Sequence, residues 1–469
     1  MEPLLTRAAL LLLIVFKFAI IAFFGPLMQP DSLGYITFAD TMLSLDGWWF
    51  DRPNTLGEDA FRVIGYPALI ALAKLIFGDT AWGYAILVVQ AAVGTLAAIM
   101  VYLFARQALG NWRWGFLIAA SYVTSQAVVY DLHILTDSLY GHGLAILLAI
   151  LGLQGLLQQP GRVTLCVAAG LLVGLFLLRE FTLFLLPVFV PLITVAVWPV
   201  VQRPALCAAV CISVLLPMVL TAILYTNWNA FRSGERFVTT AARTAALLPL
   251  VQLEGRGIAV FDGDSVLDQA ARENLSSYFY ADVININRTL SEFGVSGVEM
   301  SAMARGLYLE TLVTHPLAFL RHATGEIRLD RRAKALANPI TSFRDLEAFR
   351  AGNERVSFSK KLSGALDVKT VSAIGLVIVE GFIILAMLVI GVFAFLVFPV
   401  AYLARLAIRC SAPVPWTVQA GIWASCGGTM AAYSLIRLED RYLIGFTPFM
   451  IIIGLFTIRV LWRLKSGPA

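Results

Sequence analysis

Ten apolar runs dominate this chain: residues 8–27, 82–105, 114–130, 138–157, 163–179, 181–199, 205–226, 371–404, 415–436 and 442–460. Each comes near the ~20 residues that a helix, rising about 1.5 Å per residue, needs to cross a hydrocarbon core. Runs of this length exclude a transmembrane β-barrel, whose strands alternate polar and apolar residues over about 10 positions. The residues are 59% hydrophobic and 14% charged, whereas an ordinary soluble domain is roughly 25% charged. Disordered proteins, nucleic-acid binders and ordinary soluble enzymes are excluded with it. An all-α polytopic membrane protein of about ten transmembrane helices is expected. The run at 371–404 is too long for a simple crossing, so it extends past the bilayer or tilts.

Ten crossings place both ends on one side. The turns on that side carry Arg7, Arg106, Arg113, Arg203, Arg405 and Arg459, among other basic residues, and Glu2 as their acid. The positive-inside rule then puts both termini in the cytoplasm of a plasma (inner) membrane, with 29–81 and 227–370 facing outward. The first run is too long for a cleavable signal, and no small-residue cleavage site follows it. Three parts are expected: a bundle over 1–226 that includes the loop 29–81, an outward, mainly helical insertion over 227–370, and C-terminal transmembrane helices over 371–469. The insertion holds 34 of the 65 charged residues. The net charge of +5 comes mostly from residues flanking the spans and points to no polyanionic partner. All five cysteines lie in or beside spans (Cys166, Cys207, Cys211, Cys410, Cys426). No disulfide framework or Cys-based zinc site follows from them.

The loop 29–81 is the most informative stretch. It contains Gln29-Pro30-Asp31-Ser32-Leu33-Gly34-Tyr35 and, later, Phe61-Arg62-Val63-Ile64-Gly65-Tyr66-Pro67. Tyr35, Phe38, Met42, Leu45 and Trp49 recur at helical spacing, and with Trp48 and Phe50 they suit a helix at the lipid interface. Seven acids face Arg52, Arg62 and Lys74 in this loop. Asp31, after a proline and before a helical pattern, reads as an N-cap. It also reads as a carboxylate just above the membrane that takes a proton from an acceptor hydroxyl. Tyr35, one turn on, is placed to help hold it.

An Asp four residues before a Tyr, just after the first span, resembles the acidic motif of the GT-C glycosyltransferases, in the branch of the protein O-mannosyltransferases and the aminoarabinose and lipopolysaccharide sugar transferases. Arg62 to Pro67 is similar to that branch's second loop motif. Leu135-Thr136-Asp137-Ser138-Leu139 and Asp440-Arg441-Tyr442, with Pro448 beyond it, complete the set. The resemblance covers roughly 8–226 and 371–460. It implies a GT-C-like bundle and an inverting transfer of a sugar from a polyprenyl-phosphate donor to a glycan, lipid or protein acceptor. In that reading Asp31 is the general base, and Tyr35, Arg62, Tyr66, Asp137, Arg179, Arg441 and Tyr442 bind substrate. The chain departs from the pattern where Ser32 follows Asp31 and where Phe61 precedes Arg62, and these departures leave no clear ligand set for a divalent metal.

Charges elsewhere carry a structural reading beside a functional one. Transfer from a polyprenyl phosphate develops phosphate charge, which an arginine fork near the interface would stabilise. Arg62, Arg179, Arg437 and Arg441 are candidates, with Glu180 as a structural partner for Arg179 and Glu439 or Asp440 for Arg441. Lys17 and Glu380 lie within spans and are expected to be paired or to snorkel. Asp131, His133 and Asp137 cluster at a helix end, where hydrogen bonding is favoured over metal binding, and His142 is expected to face neighbouring helices. In the insertion, Val298 to Leu320 reads as one helix that Pro316 kinks or ends. The basic run 328–334 reads as a solvated face or a contact for anionic headgroups. The rival readings are a transporter or lipid flippase, which the absence of internal repeats and of broken midplane helices disfavours, and a non-catalytic scaffold of the same fold.

Overall fold

The computed structural model describes residues 2–44, 57–157, 161–276, 279–327, 389–391, 393–403, 416–436 and 440–466. Leu45, Trp48, Trp49, Phe50, the 328–334 run, Glu380 and Arg437 lie outside them, as does most of the expected 371–404 span. Among the described residues the protein is helical, and its one extended pairing is a bridge between Leu27 and His133. Four helices are long and apolar enough to cross a membrane: Gly65–Leu109, Thr136–Gly155, Glu180–Trp198 and Pro204–Ser233. Shorter apolar helices follow four of the six other expected runs, at Leu10–Ala22, Arg162–Leu178, Val389–Leu403 and Thr447–Arg459.

Helix α1 (Glu2–Phe24) leads through residues 25–29 into α2 (Pro30–Leu43). After the short α3 (Glu58–Phe61), α4 (Gly65–Leu109) begins well before the span expected at 82–105. It bends at Gly78, whose φ of 69° and ψ of 178° only glycine adopts without strain. The stretch before the bend exposes Leu72, Leu75, Ile76 and Phe77 and is held to α2 by the Lys74–Asp40 ion pair. On α2, Phe38 is fully buried and Tyr35 nearly so, so the face expected at the lipid interface is partly internal.

The span expected at 114–130 is broken into α5 (Trp112–Thr124) and α6 (Gln126–Leu132). Ser125 makes the break: its hydroxyl donates to the Tyr122 carbonyl and accepts from the Ala127 N–H. Serine competes in this way with the helical backbone for its own hydrogen bonds. Helices α7 (Thr136–Leu157), α8 (Arg162–Leu178) and α9 (Leu186–Val201) follow, the last entered through a 3-10 turn over Glu180–Leu185. Helix α10 (Pro204–Ser233) overruns the domain boundary expected at 227 and stops at Gly234, which is left-handed at φ 82°.

The insertion folds as α11 (Ala242–Ala245), α12 (Leu247–Glu254), α13 (Val266–Asn274), α14 (Phe279–Glu292), α15 (Gly297–Thr314) and α16 (Pro316–Ile327). Leu250, Val251, Val283, Ile286, Met300 and Phe319 share its own core. The helix expected over 298–320 ends at Thr314, and Pro316 opens the next, where its missing N–H costs nothing. The bundle closes with α17 (Trp416–Ser434) and α18 (Thr447–Ser466). Tyr308 of the insertion donates to the Leu435 carbonyl at the end of α17 (3.2 Å). Ser301 donates to Thr240 and the Thr240 N–H to Ala60, both at 2.8 Å.

His322 is wholly buried. Burial, reinforced by Arg256 and opposed by Glu326, lowers its pKa below the ordinary 6.5. A histidine depressed in the folded state stabilises above its unfolded pKa, and that contribution is lost as pH falls through the folded value. Acidification from about pH 7.5 to about pH 5 is therefore expected to lower amide protection in α16, read as exchange corrected for the pH dependence of the intrinsic rate, and His322→Phe to remove that sensitivity.

Lys17, in the middle of α1, is also buried and pairs with Asp131 at 2.6 Å. Removing one partner of a buried pair strands the other charge and costs about 3–5 kcal/mol. Lys17→Met should lower thermal stability by that order, and Lys17→Met/Asp131→Asn should recover most of it.

Candidate active site

Five charged side chains alternate in sign at the end of the bundle where α1 gives way to α2. They run Arg62, Asp31, Arg441, Asp137, Arg179, with the Asp31 carboxylate 3.7 Å from Arg62 and 3.4 Å from Arg441. Asp137 lies 3.7 Å from Arg441 and 2.5 Å from Arg179. They come from four separate parts of the chain: the start of α2, the turn after α3, the α7–α8 pair, and the 3-10 turn Asp440–Leu443.

The local sequence sets each position. The chain leaves α1 at Gly25 and is pinned where Leu27 donates to the Leu132 carbonyl and accepts from Ile134 N–H. Gln29 is the N-cap of α2, with Pro30 at its first helical position, and the Ser32 hydroxyl accepts the Gln29 N–H at 2.9 Å. This corrects the capping reading of Asp31. Gln29 and Ser32 take that work, and the Asp31 side chain, 41% exposed, turns to the two arginines. Tyr35 does not hold Asp31 either. Its hydroxyl shares a hydrogen bond with Thr136 (3.1 Å), while its ring lies under the Arg62 guanidinium at 4.1 Å.

Arg62 is carried by a clamped segment. Asp59 of α3 pairs with Arg232 at the end of α10 (3.4 Å), and burial raises its carboxyl above the ordinary range against the pull of that arginine. Tyr66 was expected to touch substrate, but it is completely buried, donates to Gln90 Oε1 at 2.7 Å and meets the Tyr35 ring edge-on. It supports the site from below, because the first turn of α4 points its side chain inward.

Asp137 sits in the first turn of α7 with 1% of its side chain exposed. Arg179, in extended conformation after α8, donates to Asp137 and, through Nε, to Thr136 (3.1 Å). Arg179 thus pairs with Asp137 and not with Glu180, the partner its sequence neighbourhood suggested. Its guanidinium also lies 4.8 Å from the Tyr442 ring and 5.4 Å from that of Tyr140, within range of cation–π attraction. Arg441 reaches the acids of α2 and α7; Glu439, one of the partners its sequence neighbourhood suggested, lies outside the described residues.

A stack of rings backs these cations: Phe181 on Tyr433 at 4.1 Å and Tyr433 on Tyr442 at 4.5 Å. Tyr140, Phe181 and Tyr433 were not singled out from the sequence, and Thr136 entered there only as part of the Leu135–Leu139 motif. Tyr140 lies four residues after Thr136 on the same face of α7, a spacing that carries the signal. Nothing local marks Tyr433.

The cluster expected at Asp131, His133 and Asp137 separates. His133 bonds the Val129 carbonyl at 2.7 Å, while Asp131 pairs with Lys17 and His142 inside the bundle. No group of three metal-ligating side chains occurs among the described residues.

No model of a known protein family matches the chain, and no curated protein matches it. Among solved structures it is similar to ArnT from Cupriavidus metallidurans, in a crystal structure bound to undecaprenyl phosphate. That match has 15% identity, covers 97% of this chain and 77% of the other, and superposes with a TM-score of 0.30. At that score no residue of ArnT is carried onto this chain.

Proposed function

We propose that this protein is a membrane glycosyltransferase that moves a sugar from a polyprenyl phosphate to a hydroxyl of a glycan, lipid or protein acceptor. The supporting observation is the alternating cluster, in which one carboxylate is open and the other sealed: Asp31 is 41% exposed and Asp137 1%. An exposed carboxylate can receive a proton from an incoming hydroxyl. One sealed between Arg179 and Arg441 acts instead to hold those forks in place. In the proposed step the acceptor oxygen attacks the anomeric carbon as its proton passes to Asp31. The bond from the anomeric carbon to the phosphate oxygen breaks, and polyprenyl phosphate leaves with the electron pair. A single displacement of this kind inverts the anomeric centre. Arg62, Arg179 and Arg441 stabilise the charge growing on the phosphate.

In this reading the cluster faces the outside of a plasma (inner) membrane, both termini are cytoplasmic, and the insertion shapes the acceptor cleft. The transporter reading gains one observation, since the span expected to be continuous is broken at Ser125 close to the buried Lys17–Asp131 pair. One experiment separates the two. Purified protein in nanodiscs is given defined polyprenyl-phosphate sugars with a mixed acceptor extract. A transferase releases free polyprenyl phosphate, whereas a flippase moves the lipid intact. Failure to release it with any donor and acceptor defeats the proposal.

A further inference from the structure

We infer that Lys17, Asp131, Ser138 and His142 form a buried mount that fixes the first turn of α7, and through it the aim of Thr136 and Asp137 at Arg179. Its functional readout rests on the reading above, but its geometry does not. Asp131 Oδ2 lies 2.6 Å from Lys17 Nζ, and Oδ1 accepts from both Ser138 Oγ (2.7 Å) and His142 Nε2 (2.6 Å). The Tyr122 hydroxyl holds His142 Nδ1 at 2.7 Å, which leaves the Nε2 proton for Asp131. Five helices meet at this point: α1 through Lys17, α5 through Tyr122, α6 through Asp131, α7 through Ser138 and His142, and α4 through Gly94. All four members are less than a tenth exposed.

Two features make this more than neutralisation of a buried charge. Ser138 and His142 are four residues apart, so Asp131 grips one face of α7 over a full turn and fixes the rotation of the helix about its axis. Asp137 is next in sequence to Ser138, so that rotation sets where its carboxylate points. The packing is also closed around the network. A Cβ on Gly94 would lie 2.5 Å from His142 Nε2 and closer still to Lys17 Nζ. The side chains named here are positioning residues, since none of them reaches the Asp31 end of the cluster.

The test compares variants that keep the mount with variants that break it, each as full-length protein in nanodiscs. Lys17→Met/Asp131→Asn removes both charges but keeps an acceptor for Ser138 and His142. Lys17→Met/Asp131→Leu removes the acceptor as well. Gly94→Ala keeps every charged group and crowds them. Undecaprenyl phosphate is the binding probe, and amide exchange over 136–142 is read alongside. The Leu double variant and Gly94→Ala should bind the probe about tenfold or more weakly, a loss of the size expected for coupled neighbours. Both should exchange faster over 136–142, and the Asn double variant should stay within about threefold of wild type in both measures. Ser138→Ala, which removes one bond and no charge, serves if the Leu variant does not fold, with faster exchange over 136–142 as its expected result. Wild-type affinity and exchange in a folded Leu variant, or in Gly94→Ala, would overturn the inference. If wild-type protein binds no undecaprenyl phosphate, the proposed function fails instead, and the exchange pattern alone decides whether the mount exists.

Discussion

Asp31→Asn should leave a folded protein that binds polyprenyl phosphate at least as well as wild type and no longer transfers sugar. The two halves have separate causes. The α2 cap is made by Gln29 and Ser32, so the substitution removes no capping bond. The carboxylate it removes is 41% exposed, and exposed ion pairs contribute only about 0–1 kcal/mol. Arg62 and Arg441 keep their aromatic contacts with Tyr35 and Tyr442. The cluster becomes one charge more positive, which favours an anionic headgroup. An amide cannot take up the acceptor's proton near neutral pH, so the general-base contribution of about 10²–10⁴-fold is lost. Asp31→Glu should retain part of the activity. The measurement is paired: binding of undecaprenyl phosphate and its release from a lipid-linked sugar. Wild-type turnover in Asp31→Asn would remove Asp31 from the chemistry.

How much of this was legible in the sequence depended on the range of the interaction that places each residue. Apolar runs of about 20 residues report helices directly, because helix formation and insertion are local. That Pro316 interrupts the helix expected over 298–320 was legible for the same reason; that it opens the next one was not. The break at Ser125 was not, since a serine in an apolar helix is ordinary until its hydroxyl is seen bridging Tyr122 and Ala127. At the site, Asp31, Arg62, Asp137 and Arg441 could be picked from motifs that resemble those of a known family, and Arg179 because a charge between two apolar helices is costly. Their partners could not, because sequence neighbours are poor guides to tertiary pairs. Arg179 sits beside Glu180 in sequence but reaches across 42 residues to Asp137, and Arg441 reaches across 410 to Asp31. Tyr66 shows the converse error. A tyrosine in a site motif invites a substrate role, yet the inward first turn of α4 buries it against Gln90.

Arg62 and Arg179 should separate phosphate binding from stability. Arg62→Ala is expected to weaken undecaprenyl phosphate binding and slow transfer with every acceptor, because the phosphate is present in each turnover and the acceptor varies. Truncating one side of a desolvated charged contact costs about 2–5 kcal/mol. Arg62→Lys should recover part of this, since it keeps the charge but loses the two-pronged fork and the stacking on Tyr35. Neither change should unfold the protein, because the carboxylate facing Arg62 is the open one. Arg179→Ala is different. It strips the nearest cation from Asp137, whose side chain is 1% exposed, leaving Arg441 at 3.7 Å as the other guanidinium on it. A stability loss of about 3–5 kcal/mol should accompany the loss of binding. Adding Asp137→Asn to Arg179→Ala removes the stranded charge and should restore stability without restoring affinity. Thermal unfolding and lipid binding, measured on all four variants, decide the assignment. If the double variant binds undecaprenyl phosphate like wild type, Arg179 serves Asp137 alone, and the phosphate must be held by Arg62 and Arg441.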